Sequence, residues 1–176
     1  MKTFLTSAAA ACLTLCIGVS AQGDAFATYT TVDVPGADHA YAYGIDGSNI
    51  VGVYHDHNYI YHGFSYDGTT YTTLDVPGAT HTYAWGIDGS NIVGWYNDGS
   101  RNHGFSYNGT TYTTFNVPGA TGGTFAYGID GGNIVGVYYD GSYNYHGFSY
   151  DGTPYTTFDV PGASNTYLYG IDGGNI

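Results

Sequence analysis

Short runs of alternating apolar and polar residues fill almost the whole chain and recur in a unit of about 42 residues. In the second copy, residues 83–88 alternate large apolar side chains with small or polar ones, which is typical of a β-strand with two distinct faces. Three further short runs follow in the same copy, at residues 91–96, 103–107 and 111–117. Each complete copy therefore predicts four short β-strands.

Turn residues separate these runs. Gly89-Ser90 lies between the first and second run, and Asn108-Gly109, a strong hairpin signal, lies between the third and fourth. A Val-Pro-Gly-Ala turn then leads to the next copy, because proline cannot donate to a ladder and glycine permits the turn. The tight turns predict a four-stranded antiparallel meander in each copy.

The copies are nearly in register along the chain. Gly-Ile-Asp-Gly begins at Gly44, Gly86, Gly128 and Gly170, 42 residues apart each time. One residue is lost within 97–102 and one is regained within 121–124, so both segments are predicted to be loops. Large apolar residues on both faces indicate a sheet that is packed on both sides. A four-stranded unit of this length is typical of a propeller blade, with the glycine strand innermost, where blades crowd together.

Residues 26–176 are accordingly predicted to form one all-β domain, a β-propeller-like array of three complete blades and one partial blade. Residues 26–34 match the fourth strand of a unit, and residues 166–176 match the first strand and the start of the second. We expect the chain to be truncated at its C-terminus, because the other copies continue past the position that corresponds to Ile176. The alternative is an open β-array of stacked units.

The N-terminus predicts export. Residues 1–21 combine Lys2, an apolar run and a Val-Ser-Ala end, as in a secretory signal peptide, and residues 22–25 form a short leader. Both cysteines fall within the signal, so the mature chain would be secreted or periplasmic, without disulfides or cysteine ligands. All 14 acidic residues are aspartate, and Arg101 is the one basic residue after the signal. This charge excludes nucleic acid as a partner and weighs against a membrane.

Two stretches resemble a known repeat. Residues 62–68 read His-Gly-Phe-Ser-Tyr-Asp-Gly and residues 71–79 read Tyr-Thr-Thr-Leu-Asp-Val-Pro-Gly-Ala, which is similar to the HAF repeats of bacterial extracellular proteins. The resemblance covers about residues 26–176, although His-Gly-Phe stands where the family has a His-Ala-Phe-like triplet, and glycine directly follows Gly-Ile-Asp. It implies secretion from a bacterium and a repeated β-fold. It implies no defined activity, so it assigns no catalytic residue.

The aspartates of Gly-Ile-Asp-Gly are the first candidate binding residues: Asp46, Asp88, Asp130 and Asp172. Aspartate before glycine commonly caps its own turn, which is one interpretation. The other is a ring of carboxylates at one mouth of the propeller, which could hold calcium. Because no copy has an alternating Asp-x-Asp-x-Asp-Gly loop, calcium is the one cofactor alternative and no cofactor is the leading expectation.

Histidines recur as well. His62, His103 and His146 open the third strand of each unit, where each ring is expected to bond to a neighbouring strand rather than to share a metal across blades. The tripeptide His55-Asp56-His57 occurs in the first unit alone, in a predicted loop. It is the candidate metal site, with too few ligands to name the metal.

Four loop tyrosines are candidate sugar-stacking residues, because a flat apolar ring matches the axial C–H face of a pyranose: Tyr59, Tyr61, Tyr143 and Tyr145. Catalytic patterns are poor. The sequence has no Gly-x-Ser-x-Gly elbow, no phosphate-binding loop and no glutamate for a paired-carboxylate glycosidase, although aspartate pairs remain.

The sequence thus favours a secreted, acidic, non-enzymatic β-repeat module that presents inter-blade loops to an extracellular glycan or protein. One alternative is a propeller enzyme that acts on polysaccharide at an Asp-lined central mouth. Another is a self-associating extracellular fibre, because unpaired edge strands invite oligomerisation.

Overall fold

The computed structural model describes residues 31–176, and all the regular structure in that part of the chain is β-strand. The strands are β1 (His39–Asp46), β2 (Asn49–His55), β3 (Tyr61–Tyr66), β4 (Tyr71–Leu74), β5 (His81–Asp88), β6 (Asn91–Asn97), β7 (Asn102–Tyr107), β8 (Tyr112–Phe115), β9 (Gly123–Asp130), β10 (Asn133–Tyr139), β11 (Tyr145–Tyr150) and β12 (Thr156–Phe158). The predicted signal (1–21) and leader (22–25) lie outside the described residues, as does most of the predicted strand at 26–34. Residues 31–34 are described and form no strand. No helix in residues 31–176 could cross a bilayer.

Each complete unit is a four-stranded antiparallel meander, as the hairpin signals predict. The first unit pairs its strands in the order β1-β2-β3-β4. The second unit pairs β5-β6-β7-β8 in the same way, and the third pairs β9-β10-β11-β12. The two segments with a lost or gained residue fall at strand ends, between β6 and β7 and before β9.

The fourth copy departs from the prediction of a first strand in residues 166–176. Its regular pairing is limited to an isolated bridge between Asp172 and Asn175. In the other copies the first strand pairs with a seven-residue second strand. In the fourth copy, Asn175 pairs with Asp172 across the turn, and no further pairing extends from this bridge among the described residues.

Consecutive units crowd together at the glycines of their first strands. A Cβ atom added to Gly44 would lie 2.7 Å from the backbone oxygen of Trp85, and one added to Gly86 would lie 2.9 Å from that of Tyr127. One added to Gly128 would lie 3.1 Å from the Cα atom of Gly170. The prediction that the glycine strands meet where the units crowd together is therefore confirmed, and the array of meanders is propeller-like.

A β-bulge in each first strand turns an aromatic side chain toward the neighbouring unit. In β1 the pairing with β2 skips one residue between Ala42 and Gly44, which leaves Tyr43 as the extra residue. The ring of Tyr43 stacks on Trp85, the equivalent residue of the second unit, with centroids 4.0 Å apart. The bulge and the adjacent glycine together explain how two sheets approach closely while their aromatic rings still find room.

The Val-Pro-Gly-Ala connections are tight turns, and the valine of each one donates a hydrogen bond to a threonine of the next unit. In the first connection the N–H of Ala79 donates to the oxygen of Val76 at 3.0 Å, and Gly78 has φ +84°, the conformation that a type II turn requires. The N–H of Val76 itself donates to the hydroxyl of Thr82, a residue that is 1% exposed. The same bond recurs from Val117 to Thr124 and from Val160 to Thr166.

Candidate functional site

Three of the four Gly-Ile-Asp-Gly aspartates bond to the following unit. In each case Oδ2 accepts the backbone N–H of the equivalent turn one unit later: Asp46 from Gly89 at 2.7 Å, Asp88 from Gly131 at 2.8 Å, and Asp130 from Gly173 at 2.9 Å. The carboxylates therefore cap a turn, but it is the turn of the next unit and not their own. They fasten consecutive units together.

The fourth aspartate differs from the other three. The carboxylate of Asp172 makes no hydrogen bond with any described residue, although its backbone N–H donates to Asn175. Residues 31–176 contain no group of three or more His, Cys, Asp or Glu side chains placed to hold one metal ion. Binding by the four aspartates and a bound calcium both stay predictions.

The recurring histidines are each engaged inside their own unit. Nδ1 of His62 lies 2.9 Å from Oδ2 of Asp75, and Nδ1 of His146 lies 2.8 Å from Oδ1 of Asp159. The hydrogen bond that the ring of His146 donates to the carboxylate of Asp159 raises the pKa of His146. In the second unit, His103 meets the amide oxygen of Asn116 at 2.9 Å instead. These contacts tie the third strand to the end of the fourth strand of the same unit.

The tripeptide His55-Asp56-His57 is not assembled into one site. His55 is 6% exposed and its ring packs against Tyr59, whereas the ring of His57 is exposed and lies 2.5 Å from Asp38. The carboxylate of Asp56 caps its own loop. A hydrogen bond from the N–H of Ile60 is the main cause of its lowered pKa.

The four candidate tyrosines separate into two pairs. Tyr61 stacks on Tyr83 of the next unit with centroids 5.2 Å apart, and Tyr145 packs on Tyr167 at 5.0 Å. These two rings therefore serve the junctions between units. Tyr59 and Tyr143 are different, because they are 72% and 80% exposed.

Sequence reasoning missed a pocket of about 460 Å³ between the first and second units. The first unit contributes the ends of β3 and β4, with Tyr66, Asp67 and Leu74, and the second contributes the β5–β6 turn and Tyr107. This volume lies in the range of small-molecule sites. The pocket is therefore a candidate binding site that is formed by residues of both units.

Two tyrosines of this pocket are held rigidly. The hydroxyl of Tyr66 donates to the backbone oxygen of Gly68 at 2.7 Å, and its ring stacks on Tyr71 with centroids 4.3 Å apart. The hydroxyl of Tyr107 donates to the oxygen of Gly109 at 2.7 Å in the same way. Because their rotamers are fixed before any ligand arrives, little entropy would be lost on binding.

Polar groups of the pocket are available for a ligand. Oδ1 of Asp67 accepts bonds from Thr69 and Thr70, and these bonds, led by the Thr69 hydroxyl, lower its pKa. Oδ2 of the same carboxylate accepts none from the described residues. Ser65 and Ser90 also line the pocket, and their hydroxyls bond to no described residue.

One substitution distinguishes this junction from the next. Leu74 ends the fourth strand of the first unit, and Phe115 holds the equivalent place in the second. Phe115 packs on Phe148 and Tyr150, with centroids 6.3 and 5.4 Å away. The smaller Leu74 lines the pocket. Leucine in place of phenylalanine at this strand end is a sequence difference between the two junctions.

Comparison with known proteins adds little to this description. The sequence matches no protein-family model and no curated protein. Two solved structures of a variant lectin from Aleuria aurantia, in complex with α-methyl-L-fucoside and with Fucα1-6GlcNAc, are similar in fold at 17% identity and a TM-score of 0.46. The match covers 77% of this chain but only 47% and 48% of those chains. A likeness at this level carries no argument about what the chain binds.

Proposed function

We propose that this protein is a secreted, non-enzymatic module that binds a neutral saccharide in the pocket between its first two units. The observation that carries the proposal is the pair of immobilised tyrosine rings, Tyr66 and Tyr107, on the walls of a pocket that also presents free hydroxyl and carboxylate oxygens. Export is supported by the signal-like residues 1–21.

The residues that line this pocket suit a neutral saccharide. Its C–H faces suit the tyrosine rings and the side chains of Leu74 and Ile92, while its hydroxyls can donate to the free oxygen of Asp67. An anionic ligand would meet a carboxylate with no lysine or arginine in the lining. A neutral sugar of one or two residues is the ligand class that satisfies both requirements.

A binding role also agrees with how the carboxylates are used. The Gly-Ile-Asp-Gly aspartates of the three complete units accept backbone N–H groups of the neighbouring unit, so they maintain the array. Most glycosidases use two carboxyl groups that flank the scissile bond. The pocket lining contributes one carboxylate, that of Asp67.

Calorimetric titration of the chain tests the proposal. The probes are the methyl glycosides of glucose, galactose, mannose, N-acetylglucosamine and L-fucose. We expect at least one to bind, and we expect Leu74→Phe to weaken that binding at least tenfold, because a larger ring at this lining position reduces the space for a ligand. Phe115→Leu is the matched control and should leave the affinity unchanged.

Two kinds of result would contradict this proposal. Binding of none of the five glycosides, or equal affinity in Leu74→Phe, would contradict the proposed site. Release of reducing ends from a bound oligosaccharide would contradict the non-enzymatic role. Circular dichroism confirms that each variant keeps its β-sheet spectrum before it is titrated.

A further inference from the structure

The β2–β3 and β10–β11 loops share a construction that differs from the shorter β6–β7 loop, where Oδ1 of Asp98 accepts the N–H groups of Ser100 and Arg101 with no tyrosine between them. Each begins with an aspartate whose Oδ1 accepts two backbone N–H groups further along the loop. Asp56 accepts from Asn58 and Ile60, and Asp140 accepts from Ser142 and Asn144. In both loops these bonds hold the residue in between, a tyrosine, in a fixed place.

That tyrosine has a backbone conformation that side chains rarely adopt. Tyr59 has φ +60° and Tyr143 has φ +63°, and they are the two non-glycine residues with positive φ among residues 31–176. A bulky residue in this region is strained, whereas glycine or asparagine is tolerated. The shorter β6–β7 loop places Gly99, with φ +93°, in its positive-φ position. Because this strain occurs in both loops, it indicates a role for the tyrosine side chain itself.

The rings of Tyr59 and Tyr143 pack in the same way within their units. The ring of Tyr59 stacks on His55 with centroids 5.4 Å apart, and the ring of Tyr143 stacks on Tyr139 at 6.2 Å. His55 and Tyr139 end the second strand of their units, so the mounting positions are equivalent. With 72% and 80% of the two tyrosines exposed, each presents a flat aromatic surface supported from behind.

We propose that Tyr59 and Tyr143 are stacking platforms for the pyranose rings of one extended, neutral polysaccharide. They occupy equivalent loops of the first and third units, and two weak contacts with one polymer chain would reinforce each other. Asp56 and Asp140 lie at the base of the platforms and disfavour an acidic polymer. The platforms are separate from the pocket between the first two units and do not depend on it.

Affinity electrophoresis and pull-down with cellulose, chitin, β-1,3-glucan and mannan test this proposal. The double variant with Tyr59→Asn and Tyr143→Asn removes both rings and relieves the backbone strain. We expect its partition constant on the best-retaining polymer to fall at least tenfold, while its melting temperature stays equal or rises. Because one polymer contacts both rings, each single variant should lose most of the affinity that the double variant loses, on a logarithmic scale. Two independent sites would instead lose about half each.

Two controls separate the platforms from the pocket and from general surface effects. Tyr169→Asn removes another tyrosine that is 63% exposed but lies outside these loops, and it should leave retention unchanged. Leu74→Phe should also retain polymer binding, even where it abolishes glycoside binding. Retention of the double variant within twofold of the unaltered chain, or retention of that chain by none of the four polymers, overturns the proposal.

Discussion

Replacing Gly86 with alanine places a methyl group at the closest approach of two units. The added Cβ would lie 2.9 Å from the backbone oxygen of Tyr127, 3.0 Å from Cγ2 of Val93 and 3.2 Å from the Cα atom of Gly128. Two of these three atoms are backbone atoms of the third unit, which cannot move aside as a flexible side chain could. The substitution must therefore push the second and third units apart.

The expected cost follows from the tight packing. Overpacking of a well-packed interior costs about 1–3 kcal/mol. A change of 1 kcal/mol corresponds to a shift of roughly 4 °C in a domain of this size, so we expect the melting temperature to fall by about 4–12 °C. Differential scanning calorimetry of the chain measures this shift, and urea unfolding gives the change in the free energy of unfolding.

The fourth copy supplies a matched control. Gly170 holds the same motif position as Gly86, but a Cβ added there would meet no atom within 4 Å. Gly170→Ala should therefore change the melting temperature by no more than the scatter of a surface substitution, about 2 °C. Equal shifts in the two variants would show that the glycines are required for some reason other than contact between units.

Three further substitutions test two contacts between units and the bonds of one loop within a unit. Asp88→Ala removes the bond to the N–H of Gly131 and should lower the free energy of unfolding by about 0.5–1.5 kcal/mol in urea titrations. Thr82→Val leaves the buried N–H of Val76 without a partner and should cost about 1–3 kcal/mol by the same measurement. The loop bonds of Asp98, led by that from the Ser100 hydroxyl, hold its pKa well below the usual 3.8, so they stabilise the fold above that pH and this stabilisation is lost as the pH falls. Asp98→Asn should therefore be less stable than the unaltered chain at pH 7, with a smaller difference at pH 2.

Two of these substitutions have a matched control at an equivalent position of the chain, and the third is compared at two pH values. Asp172→Ala removes a carboxylate that bonds to no described residue, so it should be neutral where Asp88→Ala is not. Thr166→Val should cost less than Thr82→Val, because Val160 is 59% exposed and its N–H can reach water. A stability difference for Asp98→Asn that is constant between pH 7 and pH 2 would exclude the ionised carboxylate as its source.

The meanders were predictable because their signals are local and repeated. Hairpin turns such as Asn108-Gly109 fix which runs pair, and several copies at a constant spacing remove the ambiguity of any single run. The crowding at Gly86 was predictable for a similar reason, since a glycine kept within an apolar strand marks a close approach of backbone.

The contacts between units were harder to predict. Nothing in the local sequence shows that the carboxylate of Asp88 reaches the turn at Gly131, because aspartate before glycine equally suits a cap on its own turn. The sequence places Tyr59 and Tyr61 in the same class, although one is exposed and the other packs on Tyr83. The pocket is lined by residues of two units, such as Tyr66 and Tyr107, so it becomes apparent only when the neighbouring unit is in place.

Packing of the units through their glycine strands can be tested by measuring contacts between units in solution. In an NMR spectrum of the ¹³C-labelled chain, this packing predicts nuclear Overhauser effects between the α-protons of Gly44 and Gly86, of Gly86 and Gly128, and of Gly128 and Gly170. If the cross-strand effects within each meander are present and all three of these are absent, the meanders do not pack through their glycine strands, and the pocket between the first two units does not exist.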